Sequence, residues 1–229
     1  MTSKTEFVKG DNPIQSTICT KCEPLCGFRF DRPYRPEDWI EGDPTSPIWI
    51  IGLNPRSTEL DHTSTGINHR SLEETRSGFA KHAKKIGYFK IFARVSPALY
   101  SLLGTRVAHT DLVKCASSSW PPPNTSDATK SEILMNCSSY LRVQIQTHRP
   151  QLLICNGADV CRFIRTLLPP PSGAPINAPN YVSSAMGDDV VVVMTGFLRQ
   201  LDNFNLRRIG LEIEALAHQA GVSLKADDA

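Results

Sequence analysis

The stretch Ser46-Pro47-Ile48-Trp49-Ile50-Ile51-Gly52-Leu53-Asn54-Pro55 decides the fold. Its centre is an unbroken apolar run, rich in β-branched residues, and Asn54-Pro55 stops it in a turn. A strand with no polar face is covered on both sides, which is the habit of parallel sheets flanked by helices.

Working outward, helical spacing spans 71–86 and 88–103, interrupted at Gly87, and Arg106–Lys114 (RVAHTDLVK) reads as a second strand. Ser117–Thr125 reads as a loop, and Ser126 or Asp127 caps a helix running to about 148. Leu152–Asn156 (LLICN) is a third strand stopped by Gly157, followed by a helix to about Leu168. The proline-rich stretch 169–187 reads as one long loop, and Asp189–Thr195 (DVVVVMT) as the fourth strand. A last helix from about 203 to 220 is apolar at Leu206, Ile209, Ile213, Leu216 and Ala217. Alternating strands and helices predict a three-layer α/β sandwich around a mainly parallel, four-stranded sheet. The whole chain, 1–229, is expected to form one domain, with 1–46 an irregular segment. Ligands bind outside the carboxyl ends of such strands. That rule selects Asn54–His62, Asp111–Asn124, Asn156–Asp159 and Thr195–Asn205.

Composition narrows the partners only a little. The net charge is +2 and the pI about 8.2, so a nucleic-acid footprint has to come from clustering. Arg76, Lys81, His82, Lys84, Lys85 and Lys90 form such a cluster, which a solvated helix face explains equally well. No apolar run reaches the length of a membrane span, and MTSKTEFVKGDN lacks a signal-peptide core. A cytoplasmic protein, a monomer away from membranes, is expected.

Seven cysteines in a reducing compartment call for metal ligation or plain burial. Cys19-Thr20-Lys21-Cys22 is a C-x2-C knuckle, a pattern shared by zinc ribbons, redox motifs and iron–sulfur sites. Its irregular surroundings disfavour the redox option, which wants a helix start beside a βαβ unit. Cys115 closes the second strand, and Cys137 lies in the next helix. Four thiolates converging tetrahedrally would hold a metal or a cluster; the alternative is that Cys115 and Cys137 are small buried hydrophobes. Cys26 is a possible substitute ligand, while Cys155 and Cys161 read as core.

Around these cysteines the sequence resembles the iron–sulfur (family 4) branch of the uracil-DNA glycosylases. The resemblance rests on Cys19/Cys22, Ile51-Gly52-Leu53-Asn54-Pro55-Arg56, Asp111-Leu112-Val113-Lys114-Cys115, Cys137, Gln144-Ile145, Arg149-Pro150 and Leu152–Gly157, in the family's order. It covers roughly 19–220, with a divergent stretch at 57–105. The first motif, G-L-N-P-R, is closer to the G-x-N-P form of the mismatch-specific and single-strand-selective branches. Asp111 stands where the family has an asparagine that reads the base, and Thr195-Gly196-Phe197 stands where it has His-Pro-Ser.

The resemblance implies a DNA glycosylase of base-excision repair, or a catalytically silent nucleic-acid-binding relative. It implies a [4Fe–4S] cluster, or zinc, on Cys19, Cys22, Cys115 and Cys137. Asn54 would position the attacking water and Thr195 would stabilise the leaving base. Asp111, Gly52, Leu53 and Asn156 would line the base site. Arg56, Phe197, Leu198 and Arg199 would meet DNA. The family's base-stacking phenylalanine has candidates in Phe79, Phe89 and Phe92, each equally suited to the core. An ionised Asp111 accepts hydrogen bonds only, so a protonated Asp111, or a base with an exocyclic amino group, fits better than uracil does.

Overall fold

The computed structural model describes residues 19–28, 30, 32–55, 71–117 and 119–225. The apolar runs become the strands β1 (Ile48–Gly52), β2 (Val107–Asp111), β3 (Leu152–Asn156) and β5 (Val190–Gly196). A further strand, β4 (Asn180–Ser183), makes the sheet five-stranded, in the order β2-β1-β3-β5-β4. All neighbours are parallel except β4 and β5. The expectation of four strands, with 169–187 wholly loop, is thereby corrected. Asn180–Ser183 is short and follows a proline, so its local signal is that of a turn. Its ladder with β5, Asn180 opposite Val193 and Ser183 opposite Val190, makes it an edge strand.

The helices are α1 (Glu23–Cys26), α2 (Leu72–Ser77), α3 (Phe79–Ala83), α4 (Gly87–Val95), α5 (Pro97–Ser101), α6 (Asp127–His148), α7 (Ala158–Leu167) and α8 (Asn203–Gln219). The two helices expected over 71–103 are four short ones. A capping box of Ser71 and Glu74 starts α2, and Gly78 separates it from α3. Pro97 cannot continue α4, so Ser96 caps a new helix by accepting from Leu99 N.

Strand pleating sorts the core into two layers. Ile48, Ile50, Val107, Ile154 and Val193 pack beneath α3, α4, α5 and α8, while Trp49, Ile51, Leu153, Cys155 and Val192 pack beneath α6 and α7. Helix α8 lies close on α4: a Cβ at Gly210 would meet Val95 O at 1.7 Å, so only glycine fits. A third cluster joins the N-terminal segment to α6 through Cys22, Phe30, Trp39, Val113, Cys115, Ile133 and Cys137. No helix among the described residues is long and apolar enough to cross a membrane.

Candidate active site at the carboxyl edge of the sheet

Register places the ends of the parallel strands together. Gly52 of β1 lies opposite Asp111 of β2, and Asn156 of β3 opposite Gly196 of β5. Beyond the strand ends the chains stay paired, Leu112 N donating to Gly52 O and Val113 N to Leu53 O. This pairing presents Asn54 and Asp111 on adjacent strands.

Asn54 is fixed by a short chain of hydrogen bonds. Ser117 Oγ donates to Ser119 O at 2.6 Å, which leaves that oxygen to accept from Asn54 Nδ2 at 2.8 Å. Asn54 Nδ2 also donates to Pro55 O at 3.1 Å. The amide nitrogen is therefore committed. Asn54 Oδ1 accepts no hydrogen bond among the described residues and remains an acceptor for a water.

Asp111 is buried, and its surroundings explain Gly52. A Cβ at Gly52 would lie 2.3 Å from Asp111 Oδ1, 2.8 Å from His109 Nε2 and 3.2 Å from Tyr88 Oη. His109 belongs to the same strand face, two residues back, and its Nε2 is 3.6 Å from Asp111 Oδ1. Its Nδ1 meets Glu41 Oε2 at 2.7 Å, and the backbones of Glu41 and His109 exchange both hydrogen bonds, at 2.8 and 2.9 Å. Burial disfavours charge on His109, but the Asp111 and Glu41 carboxylates outweigh it and raise its pKa. Burial also pushes the Asp111 carboxyl up to about 6, against the opposing pull of His109. Tyr88 Oη and His109 Nε2 are buried without hydrogen-bond partners among the described residues.

Lys114 is buried too, with burial lowering its pKa to about 7. It donates to Asp111 O, Thr110 Oγ1 and Gln144 Oε1 at 2.6, 2.8 and 2.7 Å, so its donors bypass the Asp111 carboxylate. Gln144 in turn donates to Glu37 O and Trp39 O, tying the N-terminal segment to α6. Glu41, Tyr88, His109, Lys114 and Ser117 went unassigned in the sequence. Only the period-2 placement of His109 behind Asp111 was a usable signal.

The other expected site residues are dispersed in character. Asn156 is buried, and its Oδ1 accepts from Leu198 N at 3.1 Å. The Thr195 hydroxyl lies within hydrogen-bond distance of Cys155 O, at 3.0 Å, and Gly196 O, at 3.1 Å, and as donor it is directed at backbone carbonyls. Phe197 is 44% exposed and Arg199 is exposed. Leu198 is fully buried in the core with Leu206 and Ile213, so the expectation that it meets DNA is corrected. Its short 3-10 turn, Leu198–Gln200, points it inward. Arg56 lies outside the described residues. Phe79, Phe89 and Phe92 are core residues, with Phe79 and Phe89 packed against the His109 ring.

Five of the seven cysteines share one cluster, while Cys155 and Cys161 lie in the layer under α6 and α7. Cys22, Cys115 and Cys137 are buried, with Cys19 and Cys26 packed against them. A hydrogen bond from the Cys137 thiol lowers the Cys22 pKa to about 7, and the same contact raises that of Cys137. Burial, with the neighbouring cysteines, pushes Cys115 up to about 12. No group of three or more His, Cys, Asp or Glu side chains among the described residues stands ready to hold a metal ion. The donor chemistry, all sulfur in one packed cluster, nonetheless fits a soft metal or an iron–sulfur cluster.

Burial of Asp111 has a consequence for stability. Its folded pKa of about 6 exceeds the ordinary 3.8, so the folded state holds this proton more tightly. The resulting penalty is absent below about pH 4, grows as pH rises toward 6, and is complete above it. Asp111→Asn is expected to stabilise the protein by about 1–3 kcal/mol at pH 7.5 and by little at pH 4. Thermal unfolding at both pH values checks this; an equal shift at both would exclude burial of the charge as the cause.

Comparison with known proteins adds one match. A family model described as the Uracil DNA glycosylase superfamily matches residues 39–195, a span holding all five strands up to Thr195, with Asn54, Asp111, Asn156, Cys115 and Cys137. No curated protein matches the chain.

Proposed function

Because this chain belongs to the uracil DNA glycosylase superfamily, we propose that it is a DNA glycosylase of base-excision repair, hydrolysing the N-glycosidic bond of a deaminated or damaged base. The observation that carries this reading is the Asn54 amide, held by Ser117 at the carboxyl edge with its oxygen left to accept from a water. Cleavage of this bond puts positive charge on the sugar, and the protein's main task is to extrude the nucleotide and orient that water. Asn54 orients rather than deprotonates, since a neutral amide is a poor base. Asp111 meets the base, with Gly52 and Leu53 forming the floor beside it. Phe197 and Arg199 are exposed in the last loop and would face DNA. Thr195 and Asn156 hold the strand ends rather than the base, given their bonds to Cys155 O and Leu198 N.

We further propose that Cys19, Cys22, Cys115 and Cys137 hold a [4Fe–4S] cluster, with zinc as the alternative. Their shared cluster supports this. Bound there, the group would supply a structural cross-link between the N-terminal segment, the end of β2 and α6. The seven unpaired cysteines support a reducing compartment, the cytoplasm.

The test is single-turnover release of base from oligonucleotides bearing uracil, hypoxanthine, xanthine or N7-methylguanine, with enzyme in excess. Time-dependent release from at least one of them is expected. DNA binding with no release from any would instead identify a catalytically silent relative.

A further inference from the structure

We propose that the base this site takes is a cationic, guanine-type purine alkylated at N7, read by the Asp111 carboxylate and the Tyr88 hydroxyl. The inference rests on the glycosylase reading and names its substrate class.

The argument begins with the hydrogen-bonding capacity of the groups around Gly52. Asp111 is 4% exposed and stands at the last residue of β2, the end of a parallel sheet at which ligands bind. Among the described residues no hydrogen-bond donor reaches its carboxylate; its contact is His109 Nε2 at 3.6 Å. The nearby Lys114 donates instead to Asp111 O, Thr110 and Gln144, and the Arg32 guanidinium stacks on Trp39, 3.2 Å from the ring centroid. Glu41 anchors the imidazole by its other nitrogen, so His109 is held one pleat behind the carboxylate. Tyr88 Oη is buried beside the same point, near the Asn156 side chain, and meets no partner at full hydrogen-bond geometry among the described residues. The site therefore offers the Tyr88 hydroxyl as a donor and the two parallel acceptors of a carboxylate, with His109 Nε2, itself without a hydrogen-bond partner among the described residues, beside them.

A flipped base is read on its Watson–Crick edge. Guanine presents O6, N1–H and the 2-amino group there, which is acceptor, donor, donor. Tyr88 and Asp111 complement all three. Uracil presents O4, N3–H and O2, so its second carbonyl would face a carboxylate oxygen. An unpaired buried polar contact of that kind is heavily disfavoured. The Asn54 to Ser117 arrangement serves either base.

The leaving group points the same way. Uracil departs as an anion and needs donors aimed at its developing charge. Here the Thr195 hydroxyl is directed at Cys155 O and Gly196 O, and the group in contact with the base is itself anionic. An N7-alkylated guanine carries a positive charge before cleavage. When its C1′–N9 bond breaks, the electron pair neutralises the ring, and the base leaves uncharged. The water oxygen bonds C1′, and its proton passes to solvent. No base anion forms, and the Asp111 carboxylate attracts the cation in the bound state.

The experiment measures single-turnover release from duplexes with one N7-methylguanine or one uracil, above spontaneous loss in the same buffer. The wild-type protein is expected to release N7-methylguanine at least about tenfold faster, the scale of one polar mismatch. Asp111→Asn, which restores a donor beside an acceptor, is expected to reverse that order. Uracil release as fast as or faster than N7-methylguanine by the wild type overturns the proposal while leaving the glycosylase reading intact. Release of neither base, nor of hypoxanthine or xanthine, overturns both. Should Asp111→Asn fold poorly, the wild-type ratio decides alone.

Discussion

Asn54→Ala is expected to slow the chemical step of base release by about two orders of magnitude or more, the usual loss when one positioned polar group is removed from a reacting centre. Its amide nitrogen is secured to Ser117 Oγ at 2.8 Å, and that oxygen is already oriented by its own bond to Ser119 O. The carbonyl oxygen is thereby aimed without rotameric freedom, which is how positioning lowers a barrier. Alanine removes the acceptor and leaves the strand intact, because Leu53 O and Pro55 O still pair with Val113 N and Ser117 N. Binding to DNA with an altered base is therefore expected to change little. Single-turnover rates alongside equilibrium binding give the result, and unchanged turnover would move the chemistry away from this turn. Ser117→Ala offers a milder companion. It removes the Ser117 acceptor and leaves Asn54 Nδ2 only its longer bond to Pro55 O, so a smaller loss of rate with unchanged binding is expected.

Cys115→Ala is expected to have the largest effect on folding, removing metal and most of the stability together. Cys115 and Cys137 lie in the cluster that joins the N-terminal segment to β2 and α6. If a metal or cluster is held there, its binding energy is also folding energy, with apparent values of about 10–16 kcal/mol for structural zinc sites. The wild-type protein, purified aerobically, is expected to be brown, with about four irons per chain. One zinc in a colourless protein would keep the four-thiolate site and reject the cluster. Neither metal, with full stability in the alanine variant, would return these cysteines to ordinary burial. Cys26→Ala separates the ligand sets. It is expected to leave metal content unchanged if Cys19 and Cys22 are the N-terminal ligands.

These two expectations draw unequally on sequence and structure. The cysteines and the Asn54-Pro55 turn stand out in the chain itself, because spacing and turn chemistry are local. What holds them is not local. Ser117 is 63 residues from Asn54, and Glu41 is 68 residues from His109. Nothing in a serine-rich loop, or in a lone histidine on an apolar strand, announces such partners. Leu198 shows the converse. Its place after the last strand suggested a wedge into DNA, but an apolar side chain there is equally able to close the core, and it does.

Local patterns in the chain were enough to specify the parallel strands and their alternation with helices. Continuous apolar runs can be buried only between two layers, and βαβ connections have one favoured hand. Tertiary structure alone decided the fifth strand, the division of 71–103 into four helices and the surroundings of Asp111. A four-residue segment such as Asn180–Ser183 has too little local preference to be a strand until β5 supplies its hydrogen bonds. A carboxylate's role likewise depends on which donors reach it. Around Asp111 the neighbours are Gly52, His109 and Tyr88, brought together from β1, β2 and α4.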